Sequence, residues 1–334
     1  MQEKHYLCAH IQRKRQVDMG GKKKKVTVLI PAHNEEAGLG ALWNEVRTMI
    51  DGQTAYDWEV LFVDDGSDDG TLAALRDMRN ADKRVSYVSL SRNFGKENAM
   101  LAGMDYATGD CVVIMDADLQ DPPALVPQML ACWEDGYDDV YARRASRGKE
   151  SAVRKRLSLL FYKVLAFSTR FEMLQNVGDF RLLDRRCVNA LRRLRESERY
   201  TKGLFCWIGY KKKEIVFDRG DRAAGESHWS FLSLLNLATE GITSFSIAPL
   251  RISTMVGGCV SLCAFVALVY YVLKTVFFGD PIQGFPTLIT VILFLGGMQL
   301  LSIGIIGEYI GRVFNEVKRR PVYLCREYNG ELVD

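Results

Sequence analysis

The sequence has few histidines and no closely paired cysteines. Its 334 residues include four His and eight Cys, and the cysteines are scattered without a Cys-x-x-Cys pair. A structural zinc site or a disulfide framework is therefore not expected, and reduced thiols of the cytosol fit better. The formal net charge is only +3, which is too small to indicate a nucleic-acid partner. Basic residues are nevertheless concentrated at 143–156, 211–213 and 318–320.

The sequence also lacks a glycine-rich phosphate loop. No Gly-x-Gly-x-x-Gly follows the first predicted strand, so a dinucleotide site of the usual kind is not supported. From Lys25 to about Arg144, strand-like and helix-like segments alternate, which predicts an α/β fold with a mostly parallel sheet and crossover helices. The predicted strands are Val26–Ile30, Glu59–Val63, Val85–Leu90, Cys111–Met115 and Asp139–Ala142, and the predicted helices are Glu35–Ile50, Thr71–Asn80, Lys96–Ala107 and Ala124–Asp135.

Two long apolar runs lie in the C-terminal part of the chain. Ile252–Phe278 contains one charged residue and Phe285–Gly307 contains none, and each exceeds the roughly 20 residues that cross a bilayer. Because basic residues precede the first run and follow the second, we expect both chain ends in the cytosol. A buried hairpin in a soluble protein is the alternative. Small residues in the second run, such as Gly296 and Gly304, would permit self-association.

These patterns divide the chain into five predicted segments. The segments are a disordered basic tail at 1–24, a cytosolic α/β domain at 25–225, an amphipathic juxtamembrane helix at 226–250, two transmembrane helices at 251–312 and a cytosolic C-terminal tail at 313–334. The first 20 or so residues lack the apolar run of a signal peptide. Met19 is an alternative start of the chain.

Acidic side chains follow several predicted strands. Asp116 and Asp118 come after the fourth strand, Asp64 and Asp65 come after the second, and Glu35 follows the first. Parallel strands bring these ends to one edge, where open α/β sheets bind ligands. If the chain stays extended, Asp116 and Asp118 point the same way. With no basic residue beside them in sequence, they suit a divalent cation that holds phosphate oxygens. Turn acids and helix caps are the alternative.

Arginines in the second half of the α/β domain are candidates for binding an anion. Arg181 lies in the segment 178–183, and Arg222 and Ser227 lie in another segment that contains a Gly turn. Such groups can hold a phosphate through charge-assisted hydrogen bonds. A structural pair between Asp179 and Arg181 is the alternative. Two apolar stretches beside basic residues, 157–167 and 229–245, suit the surface of an anionic bilayer, although ordinary core helices would look similar.

Several segments together resemble the inverting glycosyltransferases of family 2, which have the GT-A fold. The resemblance is carried by Ile30–Glu36, Val63–Ser67, Leu90–Lys96 and Met115–Pro123. Four further segments are similar to the polyprenyl-phosphate glycosyltransferases, a narrower group that includes bactoprenol glucosyltransferases and dolichol-phosphate mannose synthases; they are Val177–Leu182, Arg222–Ser227, Gly241–Phe245 and Gly307–Arg312. One departure is His228, where the group commonly has Lys before an aromatic residue.

The resemblance implies roles for individual residues. The donor nucleotide would be bound by Pro31, Glu35, Asp64, Asp65 and Asp116. A Mg²⁺ or Mn²⁺ ion on the diphosphate would be held by Asp116, Asp118 and Gln120. Asp118 and Asp179 would be catalytic, and the acceptor phosphate would meet Arg143, Arg181, Arg222 and Ser227.

The predicted activity is inverting transfer of a single sugar from a UDP-sugar to undecaprenyl (polyprenyl) phosphate. It would take place at the inner leaflet of the cytoplasmic membrane, in a multi-pass protein whose product donates the sugar to a cell-envelope glycan. Glucose is the favoured sugar from the closer resemblance, with N-acetylglucosamine or another sugar as alternatives. A processive polysaccharide synthase is less favoured because the chain lacks Gln-x-x-Arg-Trp and has few spans. A catalytically silent membrane scaffold is disfavoured by the intact acids.

Overall fold

The computed structural model describes residues 23–144, 177–197, 199–217, 248–278 and 285–333. These residues belong to two units: one contains the sheet, with residues 321–333 of the C-terminal part, and the other contains the two long helices. The predicted N-terminal tail, the basic and apolar stretch at 145–176 and most of the predicted juxtamembrane helix lie outside the described residues.

The first unit is built on a nine-stranded sheet with the order β7-β5-β6-β4-β1-β2-β3-β8-β9. The strands are β1 Lys25–Ala32, β2 Asp57–Asp64, β3 Val85–Leu90, β4 Cys111–Ile114, β5 Asp139–Arg144, β6 Val177–Asp184, β7 Lys212–Phe217, β8 Cys325–Tyr328 and β9 Glu331–Leu332. Pairing is parallel from β4 through β1 and β2 to β3 and between β5 and β7, whereas β6 and β8 run antiparallel to their neighbours. The predicted mostly parallel α/β fold is therefore confirmed.

Helices cover this sheet because they carry apolar residues at helical spacing. They are α1 Glu36–Asp51, α2 Thr71–Ala81, α3 Lys96–Tyr106, α4 Val126–Glu134, α5 Arg185–Arg193 and α6 Thr201–Trp207, with a 3₁₀ turn at Pro123–Leu125 before α4. In α1, Leu39, Leu42, Val46 and Ile50 are all buried, which is the i, i+3, i+7 pattern of a helix packed on one face. The four helices predicted between Glu35 and Asp135 are found within about two residues of their expected ends.

The C-terminal part of the first unit differs from the prediction. A tail was expected at 313–334, but Cys325–Tyr328 forms β8 and pairs antiparallel with β3. The prediction was wrong here because β8 is a four-residue strand with two charged residues, Arg326 and Glu327. Such a strand has no apolar alternation that a sequence pattern could detect.

In the second unit the structure describes two long helices, α7, Ala248–Phe278, and α8, Phe285–Val317. The hydroxyl groups of Ser253 and Ser302 lie 2.9 Å apart and join the two helices. Among the described helices, one segment, Phe294–Val317, is long and apolar enough to cross a membrane by length and composition. The structure thus supports one of the two predicted spans by this test, and the multi-pass topology is not supported by it.

Candidate active site

The candidate site lies at the carboxyl ends of β1, β2 and β4. These strands are neighbours in the sheet, and Ala32 at the end of β1 is paired with Asp64 at the end of β2. On the other side of β1, the amide of Met115 donates to the carbonyl of Leu29 at 3.1 Å. The loops that leave these three strands therefore meet at one edge, as the sequence predicts.

Asp64 and Asp65 hold the loops of this edge in shape. Asp64 is fully buried; its Oδ1 accepts from the amide of Ser67 at 3.0 Å and its Oδ2 accepts from the hydroxyl of Ser89 at 2.7 Å. Asp65 accepts from the amides of Phe94 and Gly95 at 2.8 and 2.9 Å. The two acids thus join the loop after β2 to the loop after β3.

Gly66 allows these two loops to approach closely. It has a φ of 63°, and a Cβ at this position would lie 2.2 Å from the backbone of Arg92. Since an L side chain would be both strained and in collision, only glycine fits here. The tight approach keeps Asp65 within reach of the amides before α3.

Glu35 faces the acids that follow β4. Burial raises its pKa first, and the negative charges of Asp118, Asp69 and Asp116 raise it further. Its amide donates to the Thr71 hydroxyl at 2.9 Å. Glu35 is therefore close enough to Asp116 and Asp118 for their charges to act together. Pro31 lies buried within β1 beside this loop.

Asp116 lies just beyond the end of β4, and Asp118 lies in a turn. β4 ends at Ile114, Leu119 has a φ of 59°, and the amide of Gln120 donates to Asp118 Oδ1 at 3.1 Å. The expectation that the two carboxylates align through strand alternation was therefore wrong. A turn forms because the Asp118 side chain satisfies a backbone amide two residues further on.

Lys96 links Asp116 to Asp179. Its Nζ lies 2.6 Å from Asp116 Oδ1 and 2.6 Å from Asp179 Oδ2. No basic residue is adjacent to Asp116 and Asp118 in the sequence, but the fold places Lys96 beside Asp116. Sequence reasoning missed Lys96 as a site residue, although its segment was among those that carried the family resemblance and it begins α3 directly after a strand end.

The acids at this edge differ in protonation behaviour. Burial raises the pKa of Asp116, with Lys96 opposing and Asp179 and Asp118 reinforcing the rise. Burial also raises the pKa of Asp121 to about 7, with Asp116 adding to the effect. In contrast, the positive charges of Lys96, Lys202 and Arg181 together outweigh the burial of Asp179, and its pKa lies below the usual value. Asp116 and Asp179 therefore share Lys96, and their pKa values are shifted in opposite directions.

Arg181 does not lie where an acceptor phosphate could reach it. The residue is only 1% exposed, and its Nη1 lies 3.2 Å from Asp139 Oδ2. Its guanidinium carbon is 3.6 Å from the ring centroid of Phe205. Burial and the ion pair make Arg181 a core residue, so we exclude it from the acceptor site. The alternative pairing with Asp179 is not formed either, because Asp139 takes that place.

The other predicted acceptor residues are placed only in part. Arg143, on β5, pairs with Glu214 of β7 at 2.8 Å and is partly exposed. Arg222 and Ser227 lie outside the described residues. The structure therefore brings Glu35, Asp116, Asp118 and Asp179 to one edge, and the acceptor roles of Arg143, Arg222 and Ser227 remain predictions.

The residues at this edge suit a metal ion whose coordination shell is completed by the substrate. Among the described residues, no group of three or more His, Cys, Asp or Glu side chains is arranged to hold a metal by itself. Asp116 and Asp118 supply carboxylate oxygens, and Mg²⁺ is typically bound by one or two carboxylates together with substrate phosphates. Gln120 is adjacent in the same turn. The donor chemistry therefore suits a divalent ion shared with a diphosphate.

Comparison with known proteins gives the class and the family of the chain. The profile "Glycosyl transferase family 2" matches residues 27–192, and "GtrB C-terminal hairpin" matches residues 248–313. An uncharacterized glycosyltransferase of Synechocystis is 43% identical over 306 residues, covering 92% of this chain and 96% of that protein. The chain belongs to glycosyltransferase family 2, is a glycosyltransferase, and has the GT-A-like fold of that family.

Two further similarities complete the comparison. A prophage bactoprenol glucosyl transferase homolog of Escherichia coli is 38% identical over 302 residues, covering 90% of this chain and 98% of that protein. Among solved structures, a complex of Mycobacterium tuberculosis glucosyl-3-phosphoglycerate synthase with Mn²⁺, UDP and product matches with 18% identity and a TM-score of 0.40, covering 65% and 76% of the two chains. The family assignment rests on the sequence matches alone.

Proposed function

We propose that the protein transfers one sugar, glucose, from UDP-glucose to a polyprenyl monophosphate with inversion at the anomeric carbon. The observation that carries the proposal is the acidic edge itself, where the negative charges of Asp116 and Asp118 act on Glu35. A divalent ion bound by one or two carboxylates keeps coordination positions for the diphosphate of a nucleotide sugar. The acceptor follows from relatives whose names specify bactoprenol glucosyl transfer.

The donor is held in two parts under this proposal. Glu35 and the loops ordered by Asp64 and Asp65 contact the nucleoside. Asp116, Asp118 and Gln120 would hold a Mg²⁺ or Mn²⁺ ion, which would neutralise charge on the departing diphosphate. Burial raises the pKa of Asp116; Lys96 opposes this rise, and the charges of Asp179 and Asp118 add to it. A bound cation would stabilise the ionised form of such a carboxylate.

The acceptor needs alignment more than it needs a base. A phosphate monoester is already anionic near neutral pH, so attack on the anomeric carbon does not require removal of a proton. Asp179 fits this scheme because its pKa is lowered against burial by Lys96, which makes it a poor general base near pH 7. Asp179 instead holds Lys96 in place, between the donor diphosphate and the acceptor phosphate. Direct displacement by the phosphate oxygen would convert an α-linked donor into a β-linked product.

The long helices fit a membrane-bound acceptor. Their large apolar side chains are exposed, as Leu300 and Phe277 at 73% show, and exposed apolar faces of this extent need a covering medium. We propose that α7 and α8 both span the cytoplasmic membrane and keep the site at the inner leaflet. The family match to a C-terminal hairpin over 248–313 supports this topology.

One experiment tests the reaction and the metal assignment together. Membranes that contain the protein would be incubated with undecaprenyl phosphate and a panel of UDP-sugars, and the lipid product would be weighed by mass spectrometry. We expect a single hexose addition from UDP-glucose, and loss of product by about 10³-fold in Asp118→Asn. Full metal-dependent transfer by Asp118→Asn would contradict the metal assignment. Addition of N-acetylhexosamine would replace glucose as the donor sugar, and a growing polymer would favour a processive synthase.

A further inference from the structure

The C-terminal strand β8 is held against β3 by backbone pairing and by side-chain hydrogen bonds in and just after the strand. Glu327 is only 5% exposed; it accepts from Arg76 Nε at 3.1 Å and also from the Tyr87 hydroxyl. Asn329 accepts from the Tyr87 amide at 2.9 Å. These contacts anchor the strand through Glu327 and Asn329 and involve no residue of the candidate site.

Arg326, the residue before Glu327 in β8, makes a contact that leads to the candidate site. Its Nη2 donates to the hydroxyl of Ser89 at 3.0 Å. Ser89 is fully buried, and its hydroxyl lies 2.7 Å from Asp64 Oδ2. A line of hydrogen bonds therefore runs from a residue of the C-terminal strand to the first acid of the candidate nucleotide site.

The direction of this line is fixed by chemistry. A guanidinium has only donors and an ionised carboxylate has only acceptors, whereas a serine hydroxyl has one proton to donate. Ser89 must therefore accept from Arg326 and donate to Asp64. Each bond in such a chain polarises the next, which strengthens the bond to Asp64. Because Asp64 Oδ1 also accepts from the Ser67 amide at 3.0 Å, both of its oxygens are then held in place.

We propose that Arg326 is a positioning residue for donor binding, acting through Ser89 on Asp64. The inference rests on the proposed function, because the loop that Asp64 orders is assigned to the nucleoside there. Arg326 does not touch the donor in this scheme; it holds the Asp64 carboxylate in the orientation that shapes the loop after β2. The strand that follows the helical unit would thereby be a part of the nucleotide site.

The test compares two arginines that each make a side-chain contact between β8 and the rest of the sheet unit. The variants are Arg326→Met, which breaks the line to Asp64, Arg326→Lys, which keeps a donor, and Arg76→Met, which breaks the Glu327 anchor. The full-length protein in detergent is titrated with UDP in the presence of Mn²⁺, and KM for UDP-glucose and kcat are measured. Thermal unfolding is followed in parallel.

We expect Arg326→Met to raise the Kd for UDP and the KM for UDP-glucose about tenfold, as loss of one charge-assisted hydrogen bond would, with a much smaller change in kcat. Arg326→Lys should recover most of the affinity. Arg76→Met should lower the unfolding temperature without changing the Kd for UDP. Ser89→Ala should weaken UDP binding similarly, and its effect should not add to that of Arg326→Met.

Two outcomes would overturn the inference. One is an unchanged Kd for UDP in Arg326→Met, and the other is equal weakening in Arg326→Met and Arg76→Met, which would indicate general loosening of the strand. If the wild-type protein bound no UDP, the proposed function would itself be wrong and the inference would fall with it. The wild-type titration therefore distinguishes the two failures.

Discussion

Three acids at the carboxyl edge of the central sheet have pKa values shifted in the opposite direction to that of Asp184 at the other edge. At the carboxyl edge, burial is the leading reason that Asp116, Asp121 and Glu35 have raised pKa values. At the other edge, burial also acts to raise the pKa of Asp184, but hydrogen bonds from Trp133 and Arg186 outweigh it and the pKa is lowered. Both edges bury carboxylates, and they differ in how fully donors compensate the charge.

This difference separates structural acids from acids that await a ligand. Asp184 accepts from Trp133 Nε1 at 2.9 Å and from the Arg186 amide at 3.0 Å, and Asp139 has Arg181 as a buried partner. At the carboxyl edge, Lys96 is shared between Asp116 and Asp179. Carboxylates with incomplete compensation cost stability, and such groups cluster at sites where a cation or substrate supplies the missing charge.

Asp139→Asn should have the largest effect on stability, because it leaves Arg181 charged and buried. Breaking one partner of a buried pair costs about 3–5 kcal/mol, so we expect a clear fall in the unfolding temperature of the sheet unit. Transfer per folded molecule should be retained at low temperature. Thermal unfolding followed by circular dichroism, together with the lipid-product assay, measures both.

The matched variant at the other edge is Asp116→Asn. It should abolish transfer and leave the unfolding temperature equal or higher, because it removes a carboxylate whose ionised form the fold disfavours. A loss of stability as large as that of Asp139→Asn would break the distinction between the two edges.

Lys96→Met should have an intermediate effect, on activity and on its pH dependence. Burial raises the pKa of Asp116, and Lys96 is the largest influence that opposes the rise. Without Lys96 the pKa of Asp116 rises further and less of this proposed metal ligand is ionised, so the acid side of the rate profile should move to higher pH and transfer should fall by about 10²-fold. The rate of product formation from pH 5 to 9 measures this shift. A profile that only decreases in height would assign Lys96 to substrate contact alone.

Asp121→Asn should have the smallest effect, visible only in the pH dependence of stability. The pKa of Asp121 is raised to about 7 in the folded protein, above its unfolded value of about 4. The folded state therefore holds its proton more tightly, and this contribution is complete below about pH 4 and lost as the pH rises through about 7. Asparagine can still accept from the Asp116 amide, so the variant should gain a few degrees relative to wild type as pH rises. Unfolding curves without divalent metal ions test this, and a constant difference across pH would contradict it.

Much of the sheet and part of the site could be predicted from local pattern. β1 to β4 are apolar runs between amphipathic helices, so their places and their parallel order follow from hydrophobic spacing. The acids after β2 and β4 follow in turn, because parallel strands end at one edge. β6 and β8 could not be predicted in this way. β6 carries Asp179 and Arg181 within a buried strand, and β8 is short and charged.

The sequence by itself determined the α/β order, the acidic edge and the long apolar helices, because each depends on residues that are neighbours along the chain. Only the tertiary structure decided which charged side chains form pairs. Lys96 bridges Asp116 and Asp179, Asp139 takes Arg181 away from the acceptor site, and Arg326 reaches Asp64 through Ser89. Charge pairing depends on distances of about 3 Å between segments far apart in sequence, and packing of the sheet sets those distances.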